Sequence, residues 1–295
     1  MLISIIIPAF GREELLVRCL SSLNRNIQGD LDYEVCVVDD GSGLDEVNVR
    51  EKAAVNFPLI WRSFKSSRGR SAARNEGIRS TSGIILVFLD SDMEAREDFI
   101  NTHFKYHSTN PRIAVIGKIL WPEGGSFLRY ISSRGVAKLK PDEKVPPWYF
   151  VTGNASVKRQ DLPSDGVFDE TLPGWGGEDL DLGMKLHLSG VEFMYAPEAV
   201  SFHHFVGDLA GHIKRTALYG KSVLPVLVER YPELEKILRL DLLNSFVLRL
   251  AVHNLFFIPA FWTIRILDSF PFPAYIYDYL TYSAYAGGWL KRERL

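Results

Sequence analysis

Four apolar runs, each set off by helix-patterned or turn sequence, constrain this chain most. LISIIIP (residues 2–8) ends at Pro8 and precedes a helix pattern from Glu13 to Leu23. YEVCVVDD starts at Tyr33 and stops at a DDGSG turn, where Gly41 and Gly43 permit tight backbone geometry. LIWRSF spans Leu59 to Phe64, SAARNEGIRS from Ser71 reads as a helix closed near Gly83, and IILVFLDSD repeats the strand pattern. Strands apolar throughout are buried on both faces, so the expectation is an α/β fold with a mostly parallel central sheet flanked by helices. In such sheets ligands bind beyond the carboxyl ends of the strands, where Asp39, Asp40, Asp90 and Asp92 stand.

Further along, a helix is expected from Phe99 to Ser108, a strand over IAVIGKIL, and a long loop over the site from Pro122 to Pro147, rich in Gly, Pro and charge. A strand over WYFVTGNASVKR, a Gly176-Gly177 turn, a helix from Glu178 ending at Gly190, and a strand over EFMYAPEAVSFHHF follow. From Asp208 the pattern is helical. We therefore expect a catalytic domain over 1–207, with a nucleotide-binding half at about 1–110 and an acceptor half at about 111–207, and a helical extension over 208–295.

With 46% hydrophobic and 24% charged residues the chain is globular, and a net charge of −2 gives no global field for nucleic acid, which is excluded as a partner. Cys19 and Cys36 lack metal-ligand neighbours and read as reduced core residues. The apolar N-terminus lacks a basic leader region, so a cytoplasmic location is expected. LAVHNLFFIPAFWTI, between Arg249 and Arg265, is shorter than the roughly 20 residues needed to span a bilayer, so it suits lying on a membrane rather than crossing it.

Asp90-Ser91-Asp92 places two carboxylates one residue apart at a strand end, a donor pair for a hard divalent cation. Alone, a D-x-D reads more readily as an exposed strand-to-helix turn with Asp as cap. Together, ISIIIPAF, VVDDGS, GRSAARNEG, FLDSD and GWGGED resemble the family 2 glycosyltransferases in order and spacing over about residues 2–205. The resemblance implies a GT-A fold, a nucleoside diphosphate sugar donor (UDP-sugar first), Mn²⁺ or Mg²⁺, and inversion at the anomeric carbon.

By that resemblance Pro8, Ala9 and Phe10 border the donor base, while Asp39 and Asp40 contact base and ribose; the alternative for Asp40 is a turn cap. Gly69, Arg70, Arg74 and Asn75 match the segment that meets the diphosphate, with a solvated helix face as the rival for the two arginines. Asp90 and Asp92 match the metal-binding pair, and His203 or His204 completes it. Adjacent strand residues face opposite ways, so one histidine is the ligand, His203 preferred. Gly174-Trp175-Gly176-Gly177-Glu178-Asp179 matches the acceptor segment, in which a carboxylate takes the proton of the attacking hydroxyl: Asp179 first, Glu178 next. Trp175 stacks on a sugar or belongs to the core, and Gly153 and Asn154 line the sugar pocket.

From Leu238 to Leu267 an amphipathic helix pair broken at Pro259 is expected, and with the tyrosines to about 290 it suits a peripheral membrane contact, a cap on the domain or an oligomer contact. The expected acceptor is a hydroxyl of a glycan, polysaccharide or lipid-linked saccharide. A noncatalytic sugar-nucleotide binder of the same fold and a sugar nucleotidyltransferase are the alternatives. The second would carry a Gly- and Lys/Arg-rich loop after the first strand, which PAFGREE does not match.

Overall fold

The computed structural model describes residues 2–26, 31–139, 144–164, 166–204, 207–252, 254–267, 270 and 272–292. It divides into two compact units. The first comprises 1–122, 134–170 and 178–205; the second comprises 123–133, 171–177 and 206–295. Two segments that precede residue 205 in the chain thus belong to the second unit.

In the first unit the elements run β1 (Ile3–Ala9), α1 (Glu13–Leu23), β2 (Tyr33–Asp39), α2 (Glu46–Ala53), β3 (Leu59–Ser63), α3 (Arg70–Ser80), β4 (Ile85–Leu89), β5 (Met93–Ala95), α4 (Phe99–Thr109) and β6 (Ile113–Leu120). The sheet has eight strands in the order β3-β2-β1-β4-β7-β6-β8-β5, where β7 is Asn154–Lys158 and β8 is Glu192–His203. Strands β3, β2, β1 and β4 are parallel; β1, β2 and β4 are buried on both faces, as their apolar runs suggest, while β3 is a partly exposed edge strand. Ile3, Ile5 and Ile7 pack with Leu16 and Leu20 of α1 on one face. Ile6 packs with Ile78 of α3 and with Phe88 and Phe168 on the other. Truncating any of these isoleucines to alanine costs about 2–5 kcal/mol.

Three expectations are corrected. Of WYFVTGNASVKR only Asn154–Lys158 enters the sheet, antiparallel to both β4 and β6. Pro146 and Pro147 fix the backbone ahead of it, and Pro147–Tyr149 forms a 3₁₀ turn instead. The 122–147 stretch is no featureless loop. It holds α5 (Ser126–Ser132), whose Phe127 and Tyr130 are buried, and a 3₁₀ turn at Gly135–Lys138. Residues 140–143 of that stretch lie outside the described residues.

The first unit's remaining helix is α6 (Glu178–Leu188). The second unit, with α5, contains α7 (Leu209–Leu218), a π-turn at Tyr219–Val223, α8 (Leu224–Arg230), α9 (Leu234–Ile237), α10 (Phe246–Ala251), α11 (Asn254–Ile266) and α12 (Ala274–Leu290). Phe127, Tyr130, Leu209, Ile213, Ile264, Tyr277 and Leu280 form its larger core. Helix α12 comes so close to the π-turn that a Cβ on Gly220 would lie 2.1 Å from the Tyr285 carbonyl oxygen, which only glycine tolerates. The expected break at Pro259 is the third correction: α11 runs through it. Pro259 stands inside the helix, where it removes one intrahelical bond without ending it. Among the described residues no helix is long and apolar enough to cross a membrane.

Candidate functional site

At the carboxyl ends of β1 and β2, Pro8 and Ala9 are buried and Phe10 is 61% exposed. Asp39 accepts hydrogen bonds from the backbone N–H groups of Ser42, Gly43 and Leu44 and from the Ser42 hydroxyl. Asp40 accepts from Ser67 Oγ (2.6 Å) and from the N–H groups of Arg68 (2.7 Å) and Gly69 (3.0 Å). Both carboxylates, buried and acceptor-only, thus shape the two loops that flank the strand ends.

The second of these loops launches α3 from Gly69 (φ 91°), placing Arg70 and Arg74 on the same side one turn apart. The side chain of Arg74 is 1% exposed. It donates to Asp90 Oδ1 at 2.9 Å and to Glu178 Oε1 at 3.2 Å, and lies 3.8 Å from Asp179 Oδ1. Burial works against its charge, but Asp90, Asp179 and Glu178 outweigh it and hold the guanidinium cationic beyond its ordinary range. Arg70 adds a contact to Glu178 at 3.4 Å. Burial likewise opposes ionisation of Glu178, yet Arg70 and Arg74 prevail and its carboxyl sits below the ordinary value. Asp179 goes the other way: burial, and then the Glu178 charge, push it up to about 6, against Arg74 and a 2.5 Å hydrogen bond from Thr152 Oγ1. Two adjacent acids at the start of α6 are therefore driven apart, one a fixed anion and one poised near neutrality.

Asn75 is committed elsewhere in the same unit. Its amide donates to the Phe168 carbonyl and to Glu170, and its oxygen accepts from Phe168 N–H.

Beyond β4, burial and then the neighbouring Asp90 raise Asp92 to about 6, opposed by Arg12, whose guanidinium lies 3.9 Å away. Ser91 lies between the two acids, partly exposed. Met93 pairs with His203 across β5 and β8, which brings His203 Nε2 within 3.7 Å of Asp92 Oδ1. The imidazole stacks on Trp121 (4.4 Å between centroids, 15°), and burial lowers its pKa to about 4, leaving it neutral and able to donate a lone pair. His204 points instead to Glu94, 2.7 Å away. Among the described residues no three His, Cys, Asp or Glu side chains form a ready-made cage. The carboxylates of Asp90 and Asp92, only partly offset by Arg74 and Arg12, and the neutral imidazole of His203 are nevertheless a donor set that suits a divalent cation.

A Cβ on Gly153 would lie 3.3 Å from Asp90 Oδ2, so this glycine borders the acid pair. The side chain of Asn154 does not: it is fully buried in the sheet, which corrects its expected place in the sugar pocket. Its Nδ2 shares its two hydrogens among the Ala199 carbonyl, Ser201 Oγ and, more distantly, the Lys118 carbonyl, so its Oδ1 must accept, and the partner is His103 Nε2 at 3.1 Å. Burial lowers His103 to about 4 and His107 to about 3, so both are neutral. His103 Nε2 therefore carries the hydrogen, its Nδ1 accepts from Ser156 Oγ (2.8 Å), and Ser156 accepts from His107 Nε2 (2.8 Å). His107 Nδ1 is correspondingly the buried nitrogen with no hydrogen-bond partner. This one-way relay ties α4 to β7 and, through Asn154, to β6 and β8.

Trp175, Gly176 and Gly177 belong to the second unit. Trp175 is half exposed, with the Arg215 guanidinium 5.2 Å from its ring centroid, and the two glycines adopt φ values of 86° and 89°, as their turn requires. Sequence reasoning missed Arg12, Trp121 and Thr152. Only the adjacency of Thr152 to Gly153 offered a signal for any of them.

Known proteins place this arrangement. A family model described as "Glycosyl transferase family 2" matches residues 4–163, and one described as "N-terminal domain of galactosyltransferase" matches residues 133–207. The glycosyltransferase YfnE of Bacillus subtilis, itself uncharacterised, is 30% identical over 252 residues, covering 68% of this chain and 64% of its own length. The chain thus spans less than two thirds of that relative. Crystal structures of Staphylococcus aureus TarS with UDP-GlcNAc (TM-score 0.57, 18% identity, 75% of this chain and 66% of that one) and of GalNAc-T7 with UDP, GalNAc and Mn²⁺ (TM-score 0.54, 19% identity, 69% and 44%) share the fold, which is GT-A-like. With the family model covering more than half of its 295 residues, the chain belongs to glycosyl transferase family 2.

Proposed function

We propose that the chain transfers a glycosyl group from a UDP-sugar to an acceptor hydroxyl of a glycan, polysaccharide or lipid-linked saccharide, with inversion. The observation that carries this reading is Asp179, a carboxylate raised to about 6 and oriented by Thr152, linked through buried Arg74 to the Asp90–Asp92 pair. Asp179 accepts the proton of the acceptor hydroxyl as its oxygen bonds to the anomeric carbon. The bond from that carbon to the diphosphate oxygen breaks in the same displacement, and the diphosphate leaves with the electron pair. Attack and departure on opposite faces invert the centre. Glu178, held anionic by Arg70 and Arg74, takes no proton and keeps Asp179 basic. Asp90, Asp92 and His203 would hold a divalent cation. When bound, it neutralises charge on the departing diphosphate. The UDP in the solved TarS and GalNAc-T7 structures and the Mn²⁺ in the latter support this choice of donor and metal.

The test is release of UDP from UDP-sugars with and without Mn²⁺, in the wild type, Asp92→Asn and Asp179→Asn. We expect Asp92→Asn to lose metal-dependent turnover, and Asp179→Asn to bind UDP normally while transfer falls about 10²- to 10⁴-fold. Unchanged transfer by Asp179→Asn would remove the base. Turnover that instead requires pyrophosphate would identify a nucleotidyltransferase.

A further inference from the structure

The outer face of α10 and α11 is apolar and uncovered. In α11, Phe257, Ala260, Phe261 and Ile264 recur at helical spacing and pack into the second unit's core. The opposite side carries Phe256, Ile258, Trp262 and Ile266, all exposed, the last at 74%. A helix apolar on every side with one side left open is built for a second apolar phase. Helix α10 adds further exposed apolar side chains: Phe246 (78% exposed), Val247, Leu248 and Leu250.

Charge decides what that phase is. The run 242–267 contains no Asp or Glu and two arginines, Arg249 and Arg265. Both arginines are exposed, and Arg265 lies 5.1 Å over the open Trp262 ring. In a symmetric pairing of two copies each such face would meet itself, bringing arginines together with no carboxylate from the run to pair them. An anionic lipid surface supplies both the apolar phase and the opposite charge, and an exposed Trp–Arg pair suits its headgroup region. We propose that α10 and α11 dock the chain on an anionic bilayer, lying in its interface without crossing it.

Co-sedimentation of the full chain with phosphatidylcholine vesicles, alone or with one quarter phosphatidylglycerol, tests this without donor, acceptor or metal, so its outcome is independent of the transferase reading. We expect binding to the phosphatidylglycerol vesicles that weakens in high salt. An arginine near an anionic surface contributes about fivefold in affinity, so Arg249→Ser/Arg265→Ser should weaken binding roughly thirtyfold. Trp262→Glu should abolish it, while Leu188→Glu, an exposed apolar residue of α6, leaves it unchanged. Circular dichroism matching the wild type shows that each variant folds. Absence of vesicle binding, or binding untouched by Trp262→Glu, overturns the proposal. So does a concentration-dependent dimer that Trp262→Glu dissolves, which would assign the face to a second copy.

Discussion

Replacing Arg74 with alanine leaves Asp90, Glu178 and Asp179 facing one another around an empty, buried volume. Removing one partner of a buried ionic cluster costs about 3–5 kcal/mol, so thermal denaturation of Arg74→Ala should show a large fall in melting temperature, with activity lost even below it. Lysine restores the charge but not the fork that reaches Asp90 and Glu178 together, so Arg74→Lys should recover only part of the stability. The pH dependence follows from Asp179. As a base it must be deprotonated, so the single-turnover rate should rise with pH through about 6 and then level off. Glu178→Gln removes the charge that helps raise Asp179 and should move that limb to lower pH. At this scale the acids were legible because chemistry restricts which side chains stand at strand ends and helix starts. Thr152 and Trp121 were not, because each acts through a contact to a residue far away in sequence.

Among the elements, the hydrogen-bond relay His107–Ser156–His103–Asn154 is where α4, β6, β7 and β8 are joined, and β8 ends in His203. Asn154→Ala leaves a buried imidazole N–H and the Ala199 carbonyl without this partner. At about 1–3 kcal/mol for each unsatisfied group, urea denaturation should show a substantial loss of stability with an unchanged slope. The parallel half of the sheet could be foreseen because strands buried on both faces are apolar at every position. The direction of β7 could not, since a strand over these residues is expected but nothing in Asn154 or Ser156 tells which neighbours it pairs with until His103 and His107 are brought beside them. Helix α5 stayed hidden for a related reason: the glycines and prolines around FLRYI mask a short apolar spacing that matters only once Tyr277 is placed, 4.9 Å from Tyr130 between ring centroids.

On the scale of the molecule, the two compact units do not follow the linear order of the chain, for 123–133 and 171–177 belong with the C-terminal helices. Ending the chain at residue 207 would remove Tyr277 and Leu280 from the core that covers Phe127 and Tyr130. Such a truncation should bind the dye ANS strongly and aggregate, whereas the full chain should not. The sequence alone suggested a clean cut there because the pattern turns helical from Asp208. It did not reveal that the earlier segments had already been claimed by later helices. The relay through His103 carries one more implication, for spectroscopy. A core that prescribes which nitrogen of each ring bears the hydrogen suppresses tautomeric exchange, so the imidazole nitrogens should give sharp, widely separated nitrogen-15 resonances, unmoved from neutral pH down to about 5. Those resonances would report from inside the sheet whether the strand bearing His203 has kept its place.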